Sequence, residues 1–140
     1  MQDTFNGASS FVGLGVDSWT VDSVKTMYRM FVGASVFNAD LGKWSVAKLD
    51  NMYDTFNLAV KYDAVGLQKW SVVSVTDMRN FLGTTPTASS CTKRKIADAW
   101  ASNAAFIATK YDTTWSSEPW CIGAKLTDAL FKTASWGTSK

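Results

Sequence analysis

The side chains that most often carry enzyme chemistry are scarce in this chain. It has no histidine and only two cysteines, Cys91 and Cys121. Without an imidazole, the chain cannot build a serine–histidine or cysteine–histidine nucleophile, a histidine proton shuttle or a histidine zinc site. Two cysteines alone do not fill a structural zinc site, and acidic pairs such as Asp50 and Asp54 are typical of helix starts. The sequence therefore predicts a protein that is not an enzyme and that uses no cofactor, metal ion or small-molecule substrate.

Aromatic side chains are abundant, and their spacing is regular. Trp19, Trp44 and Trp70 lie 25 and 26 residues apart, and each opens the pattern W-[TS]-V-x-x-[VL]-x-x-M. Such a fixed period is typical of proteins built from repeated units, in which each unit buries its apolar side against the next. We therefore expect the three tryptophans to lie in the interior between units. An exposed aromatic stripe that binds sugar is the alternative.

The repeat divides the chain into two regions. The segments MQDTFNGASSF, MYRMFVGASVF and MYDTFNLAVKY align residue for residue, and a fourth, divergent copy begins with MRNFLGTTPT. Repeat units thus start near residues 1, 27, 52 and 78. We expect residues 1–82 to form the repeat region, and residues 83–140 to form a helical C-terminal cap of the same compact domain.

Two local patterns within a unit predict its secondary structure. In W-x-V the apolar residues alternate with polar ones, which indicates a short strand with Trp and Val inward. Val24, Met27, Phe31 and Ala34 are spaced by three, four and three residues, which predicts one face of a short helix. The expected N-cap residues of such helices are Asp22 or Ser23, and Ser74. The predicted fold is an α/β solenoid: a leucine-rich-repeat-like, right-handed stack of short parallel strands and short helices with an α-helical C-terminal cap.

The segment MFVGASVFNADLGKWSVAKLDNM, from Met30 to Met52, resembles the BspA-like surface-protein repeats, a family related to leucine-rich-repeat proteins. The resemblance covers residues 1–82 and weakens in the fourth unit, where Phe81 stands one place early and no W-x-V follows. Members of that family occur in bacterial surface lipoproteins and in marine microalgae. The resemblance implies a parallel-stranded solenoid used for adhesion or protein contacts, and it offers no catalytic residues to transfer.

The C-terminal region has a different pattern. Ile96, Trp100 and Ala104 recur at steps of four in CTKRKIADAWASNAAF, which predicts an amphipathic helix, and KLTDALFKTASW predicts a second one. The tryptophan-rich segment YDTTWSSEPWC between them is expected to be a loop. The region resembles the cysteine-bounded tails that follow such repeats in algal relatives, which implies a disulfide between Cys91 and Cys121. Two free buried thiols are the alternative.

A disulfide would indicate an oxidising compartment. That compartment would be the cell exterior, the cell surface or an organelle lumen, and the thylakoid lumen if the source is an alga.

Polar side chains between the inward positions of the predicted strands are candidates for a binding face. In a leucine-rich-repeat geometry they point outward, and the hydroxyl groups of successive units form a ladder. The candidates are Ser18, Thr20, Asp22, Lys43, Ser45, Lys69 and Ser71. Trp115 and Trp120 lie outside the repeats and are candidate anchors for a partner, because aromatic residues concentrate in interface cores. For the polar side chains, the alternative is an ordinary solvated surface. For the two tryptophans, the alternative is packing of the cap.

The first unit has no cap in front of it. Met1 aligns with Met27, so the chain starts within a unit. An uncovered repeat edge is a liability in solution, so we expect this edge to pack on another protein, or the chain to be a fragment or a processed product. The partner is then another protein or a multi-subunit complex.

Charge and hydropathy narrow the class of partner. A net charge of +2 does not favour nucleic acid, and no apolar run has the length of a membrane span. We therefore expect a non-enzymatic protein–protein interaction module of a surface, secreted or lumenal protein. One alternative is a structural peripheral subunit of a larger membrane-associated complex, for example on the lumenal side of an algal thylakoid assembly. Carbohydrate binding through the cap tryptophans is a further alternative.

Overall fold

A computed structural model describes residues 1–83 and 87–119, and its α-helices lie at the C-terminal end of this part. They are α1, Ser90–Trp100; α2, Ala104–Ala108; and α3, Tyr111–Ser116. Single 3₁₀ turns, Val16–Ser18 and Leu67–Lys69, occur in the first and third repeat units. The remainder of residues 1–83 consists of turns, bends and irregular backbone, with isolated parallel bridges that join Thr26 to Asn51 and Asn51 to Asp77.

The predicted α/β solenoid of short strands and helices is wrong. Residues 1–83 contain no strand, no sheet and no α-helix, so the leucine-rich-repeat-like strand assigned to W-x-V does not form. Asp22, Ser23 and Ser74, predicted as N-caps, therefore precede no helix. The Ser74 hydroxyl donates instead to the carbonyl of Ala47 at 3.1 Å. The repeat is carried by consecutive turns rather than by regular secondary structure.

Backbone hydrogen bonds join each repeat unit to the next. In the second unit, the N–H groups of Arg29, Phe31 and Gly33 donate to carbonyls of the third unit at 2.9, 2.8 and 2.9 Å. The amides between them bond locally, Met30 to the carbonyl of Met27 and Val32 to that of Arg29. Because alternate amides are used by the neighbouring unit, this segment cannot form the i to i−4 bonds of the predicted helix.

A left-handed residue at the third position of each unit also interrupts helical geometry. These residues have φ between 51° and 56°, and they are Asp3, Arg29, Asp54 and Asn80. A right-handed helix requires negative φ throughout, so a positive φ in every unit excludes it here. A second left-handed position holds Gly7 and Gly33 in the first two units but Leu58, with φ of 61°, in the third.

Aromatic rings at equivalent positions stack from unit to unit and form the core of the repeats. Phe5, Phe31 and Phe56 stack with centroid separations of 5.4 and 5.3 Å and interplanar angles of 5° and 4°. Phe37 and Tyr62 belong to a second row, with centroids 5.4 Å apart. The two rows touch, because the centroids of Phe31 and Phe37 are 4.2 Å apart. Buried, offset-stacked rings favour this arrangement, which accounts for the recurrence of aromatic residues in the sequence.

The repeat tryptophans are interior in two units and partly exposed in the first. Trp44 and Trp70 are each 3% exposed, and their rings stack at 6.1 Å. Their indole Nε1 groups donate to carbonyls of the preceding unit, those of Val16 at 2.7 Å and Leu41 at 2.9 Å. Trp19 is 38% exposed. The prediction of interior tryptophans is therefore confirmed for Trp44 and Trp70 and wrong for Trp19.

The units differ by one residue at the corner that follows the second aromatic row. This corner has four residues in the first and third units, Val12–Gly15 and Asp63–Gly66, and three in the second, Asn38–Asp40. The longer corners end in glycines with φ of 78° and 93°, a conformation that glycine adopts without strain. Each leads into a 3₁₀ turn, whereas the shorter corner does not.

The C-terminal helices pack against the fourth unit. The ring of Phe81 lies 5.7 Å from that of Trp100 in α1, and 5.5 and 6.2 Å from those of Tyr111 and Trp115 in α3. The first predicted helix is present as α1, but it ends at Trp100, and Ala104 starts α2. The segment predicted as a loop between two helices is partly helical, since α3 occupies its beginning.

Two expectations for the C-terminal region concern residues outside the described part. The predicted second helix and Cys121 both lie there. Cys91 is half-buried in α1 and is not a free thiol, and Cys121, the partner predicted for it, lies outside residues 1–83 and 87–119.

Candidate functional site: the N-terminal edge

The first repeat unit has a neighbouring unit on one side, and its other side is what we call the N-terminal edge. Carbonyls of the second unit at residues 28, 30 and 32 accept backbone hydrogen bonds from the first unit at 3.0, 2.8 and 2.7 Å. The equivalent carbonyls of the first unit are those of Gln2, Thr4 and Asn6. They accept no hydrogen bond within the described residues. The edge therefore presents a row of free backbone acceptors.

Aromatic groups lie beside this row. Phe5 is half-buried, with Phe31 stacked on one side of its ring, and the ring of Trp19 lies 5.8 Å from it at 32°. The indole N–H of Trp19 donates no hydrogen bond within the described part of the chain, unlike those of Trp44 and Trp70. The corner of the first unit adds apolar surface, since Leu14 is 88% exposed. Free backbone acceptors, an unpaired indole donor and exposed apolar side chains thus occur together in the first unit.

The side chains predicted to form an outward binding face are all exposed. They are Ser18, Thr20, Asp22, Lys43, Ser45, Lys69 and Ser71. Two of them are engaged within the chain: Lys43 forms an ion pair with Asp17 at 3.3 Å, and the Ser18 hydroxyl donates to the carbonyl of Gly15 at 2.8 Å. Because no strand forms in residues 1–83, the sheet that was expected to align these side chains on one face is absent.

The tryptophan anchors predicted in the C-terminal region do not form an exposed pair in the described structure. Trp115 is 7% exposed and stacks on Tyr111 at 4.5 Å, so it packs the helices against the repeats. Trp120 lies outside the described residues. Packing, the alternative considered for these tryptophans, accounts for Trp115.

The basic triplet at the start of α1 is largely engaged in the chain. Arg94 pairs with Asp98 at 3.0 Å and also donates to the carbonyl of Ser116. Lys93 lies 3.9 Å from Glu118. These contacts tie α1 to the end of α3, which is a structural use of the charges.

A cleft of about 620 Å³ separates residues 70–76 from the junction of α1 and α2. Asn103 bridges its sides, because its amide donates to the carbonyls of Val72 and Val75 at 2.7 and 3.1 Å. The same side chain accepts the N–H of Phe106 at 2.8 Å and so caps α2. Asn103 was not among the functional residues predicted from the sequence. Its position, three residues before an apolar residue at a helix start, is the signal that could have indicated the cap.

A row of partly exposed side chains crosses the units near their first positions. Tyr28 and Tyr53 stack at 5.2 Å, and the guanidinium of Arg79 lies 5.1 Å from the centroid of the Tyr53 ring. A hydrogen bond from Arg79 at 2.8 Å lowers the pKa of the Asp77 carboxyl. The row is therefore continuous across the second, third and fourth units.

Within the described residues, no group of three or more His, Cys, Asp or Glu residues could hold a metal ion. None of the helices in that part combines the length and the apolar character needed to cross a bilayer.

Comparison with known proteins identifies the family. A family model described as a Mycoplasma protein of unknown function, DUF285, matches residues 1–100. No curated protein and no solved structure matches the chain. In family-model terms DUF285 corresponds to the BspA-like surface-protein repeats, although the match does not confirm leucine-rich-repeat-like units. Since the match covers more than half of the sequence, the chain belongs to the DUF285 family.

Proposed function

We propose that the chain is a non-enzymatic protein–protein interaction module of a surface, secreted or lumenal protein, and that its binding surface is the N-terminal edge. The observation that carries this proposal is the row of unaccepted carbonyls of Gln2, Thr4 and Asn6 beside the exposed Trp19. Backbone acceptors and indole donors that find no partner within the described residues are available to a further polypeptide segment.

Several features favour a protein partner over other ligand classes. A net charge of +2 gives little attraction for phosphate backbones. Trp115 is buried, so it does not offer its ring to a sugar. A row of main-chain acceptors is complementary to main-chain donors, which is how polypeptides add to an exposed backbone edge.

Site-specific crosslinking tests the proposal. A photoreactive p-benzoyl-phenylalanine at Thr4 probes the N-terminal edge, and the same residue at Thr113 in α3 is the matched control, because both threonines are exposed. In cells of the source organism we expect a discrete protein crosslinked from residue 4 and none of that size from residue 113. The crosslink should disappear in the Trp19→Lys variant under conditions in which circular dichroism shows that the variant is folded. Equal crosslinking from both positions would contradict the proposal.

A permanent structural subunit is the second candidate, and the exposed apolar groups of the first unit favour it. Val12, Leu14 and Trp19 are 48%, 88% and 38% exposed, and such groups are covered in obligate assemblies. The isolated chain would then aggregate or melt at low temperature, and the crosslinked species would resist dilution. A stable, monodisperse isolated chain supports the reversible module instead.

A further inference from the structure

We propose that a groove between the third repeat unit and the C-terminal helices binds an extended segment of another polypeptide, which adds to the backbone edge of that unit. The groove consists of two cavities of about 620 and 290 Å³. Thr76 and Ala105 line both cavities, which are therefore neighbouring parts of one groove. Residues 70–79 form one wall, and residues 99–108 form the other. This second site is separate from the N-terminal edge and goes beyond the function proposed above.

The preceding units show how a segment adds to this edge. A row of parallel bridges runs through the repeats, and within the described residues it ends at Asp77. At the bridge between Asn51 and Asp77, the N–H groups of Thr76 and Asp77 donate to the carbonyl of Asp50 at 2.8 and 3.4 Å. The N–H of Met52 donates in return to the carbonyl of Asp77 at 2.8 Å. The earlier unit thus offers one acceptor and one donor, and the later unit satisfies both.

The next groups of this row have no partner in the described part of the chain. The carbonyl of Thr76, equivalent to that of Asp50, accepts no hydrogen bond there, and the main-chain N–H groups of Met78 and Asn80 donate none. Met78 is only 1% exposed, and an unpaired amide in a buried residue is rare in folded proteins. Thr76 and Met78 both line the groove, so it presents an acceptor and a donor at the spacing of a parallel bridge.

The opposite wall explains why these groups are left open. The fourth unit has no W-x-V segment, and the chain continues into α1 and α2 instead. The Asn103 amide reaches across to the carbonyls of Val72 and Val75, but the hydrogen bonds of a repeat backbone are not made at Thr76. Small side chains on this wall leave the groove wide, and they are Ala99, Ala104, Ala105 and Ala108.

The lining of the groove defines the chemistry of the bound segment. The larger cavity is lined by apolar side chains, among them Trp70, Val72, Val73, Val75 and Trp100. Val73 is 82% exposed, so apolar surface is available there. A segment parallel to residues 70–79 passes this cavity before it reaches Thr76, so the residues before its bridge should be apolar. Main-chain groups at strand spacing are complementary to an extended polypeptide, as in strand addition to a backbone edge.

The test uses the whole protein and a peptide of residues 70–80, which contains the donors that cover the equivalent edge of the second unit. The peptide is acetylated and labelled with fluorescein, and fluorescence anisotropy measures its binding. N-methylation at its Thr76 and Asp77 removes the N–H groups that would face the protein and should weaken binding by about tenfold or more. N-methylation at its Met78 and Asn80, whose N–H groups would face away, is the matched control and should change the affinity by less than about twofold.

Substitutions in the protein test the position of the site. Ala108→Trp places a large side chain in the smaller cavity from an exposed position, and it should weaken binding of the peptide by about tenfold or more. Ala101→Trp is the control, because Ala101 is also exposed but does not line the groove. Circular dichroism checks that both variants are folded.

Several results would overturn the proposed groove site. They are absence of saturable binding, equal weakening by the two pairs of N-methyl groups, and equal effects of the two tryptophan substitutions. A photoreactive p-benzoyl-phenylalanine at Ala108 in the protein alone identifies other occupants. A crosslink from it to residues 120–140 of the same chain, or to a second copy, would also overturn the proposal. Crosslinking from residue 4 does not involve the groove, so the groove site can fail while the proposed function stands.

Discussion

The hydroxyl group of Tyr62 is buried without a hydrogen-bond partner in the interior of the repeats. Its side chain is fully buried and stacks on Phe56 at 4.2 Å. The equivalent residues of the first two units are Phe11 and Phe37, which have no hydroxyl. An unsatisfied buried hydroxyl costs free energy, so the third unit is less stable than its ring packing alone would make it.

Tyr62→Phe should therefore raise the free energy of unfolding by about 1 kcal/mol, since it removes an unsatisfied group and keeps the ring. Urea denaturation followed by tryptophan fluorescence measures the change. Tyr53→Phe, at a half-buried position, is the control and should be nearly neutral. A loss of stability in Tyr62→Phe would mean that the hydroxyl is satisfied, for example by a buried water molecule.

The same substitution should change the response to alkaline pH. Burial, and then the nearby charges of Asp63 and Asp40, raise the pKa of the Tyr62 phenol well above its ordinary value of 10.0. Below that value the phenol is neutral in both states, so the full stability is present. As the pH rises further, the unfolded form releases its proton more readily than the folded form, and stability falls. Tyr62→Phe should lose less stability than the wild type over that range.

Leu58 carries a backbone strain that its counterparts avoid. Its φ is 61°, where the first two units have Gly7 and Gly33. Its side chain is 51% exposed, so little apolar burial compensates for the conformation. Leu58→Gly should stabilise the protein by about 0.5–1 kcal/mol, because relief of the left-handed strain exceeds the entropy that glycine adds to the unfolded chain.

Thermal denaturation measures the Leu58→Gly effect, and Leu14→Gly is its control. Leu14 is more exposed, at 88%, and does not have a positive φ. Leu14→Gly should therefore be neutral or destabilising. If both substitutions had the same effect, the backbone conformation of residue 58 would not be the cause.

At the scale of the secondary-structure elements, the tryptophans link adjacent units. Trp44→Ala should cost about 3–5 kcal/mol, because it removes a buried ring and the hydrogen bond to Val16. Trp19→Ala should cost at most about half of that, since Trp19 is 38% exposed and its indole N–H has no partner in the described residues. Chemical denaturation of both variants tests the difference, and equal losses would contradict the view that Trp19 lies at an edge.

Asn103 links the C-terminal helices to the repeats. Asn103→Ala should destabilise the protein by about 2–3 kcal/mol, because it removes the α2 cap and two hydrogen bonds to backbone carbonyls. Asn103→Asp keeps the side-chain oxygen that caps α2 but removes the amide donor. Its circular dichroism spectrum should therefore still show the helices, while its free energy of unfolding falls. Ser89→Ala, which removes the α1 cap from Thr92, is the control and should cost about 1 kcal/mol. A neutral Asn103→Ala would show that the helices are held by the aromatic contacts alone.

The sequence predicts which residues are interior better than it predicts their secondary structure. The spacing of Met27, Phe31 and Ala34 places all three in the core, where they are fully buried. Spacings of three and four residues suit a helix, but a run of turns with inward residues satisfies them equally. The deciding left-handed positions hold residues such as Arg29 and Asp54, which carry no glycine signal. The interior positions were therefore predictable, and the helix and strand assignments were not.

At the scale of the whole molecule, stability should vary along the chain. The first unit has one neighbouring unit, whereas the second and third are covered on both sides. In repeat proteins each interface adds to the stability of the units it joins, so an end unit opens more often than an interior one. Amides of the first unit should exchange with deuterium faster than those of the second, and Phe5 and Phe31 are the matched pair, since both donate at 2.8 Å.

Hydrogen exchange measured by NMR or by mass spectrometry tests this gradient. Uniform protection across the units would instead indicate a single cooperative structure in which the edge has no special role.

The candidate site could be predicted in position but not in chemistry. Alignment of Met1 with Met27 identifies the repeat unit whose backbone carries these groups. The direction of the backbone decides which N–H and C=O groups are left unpaired. The pattern of side chains in the sequence does not encode that direction. The outward face was predicted from strand geometry, and it loses that basis because the strands do not form.

The corner that varies by one residue has a consequence for engineering. The interunit backbone bonds are preserved across corners of three and four residues, so the change in length is absorbed locally. In the four-residue corners the exposed Leu14 and Val65 stand next to glycine. Grafted loops, epitopes or spectroscopic labels inserted there should be displayed at regular intervals along the protein while its folded scaffold stays intact.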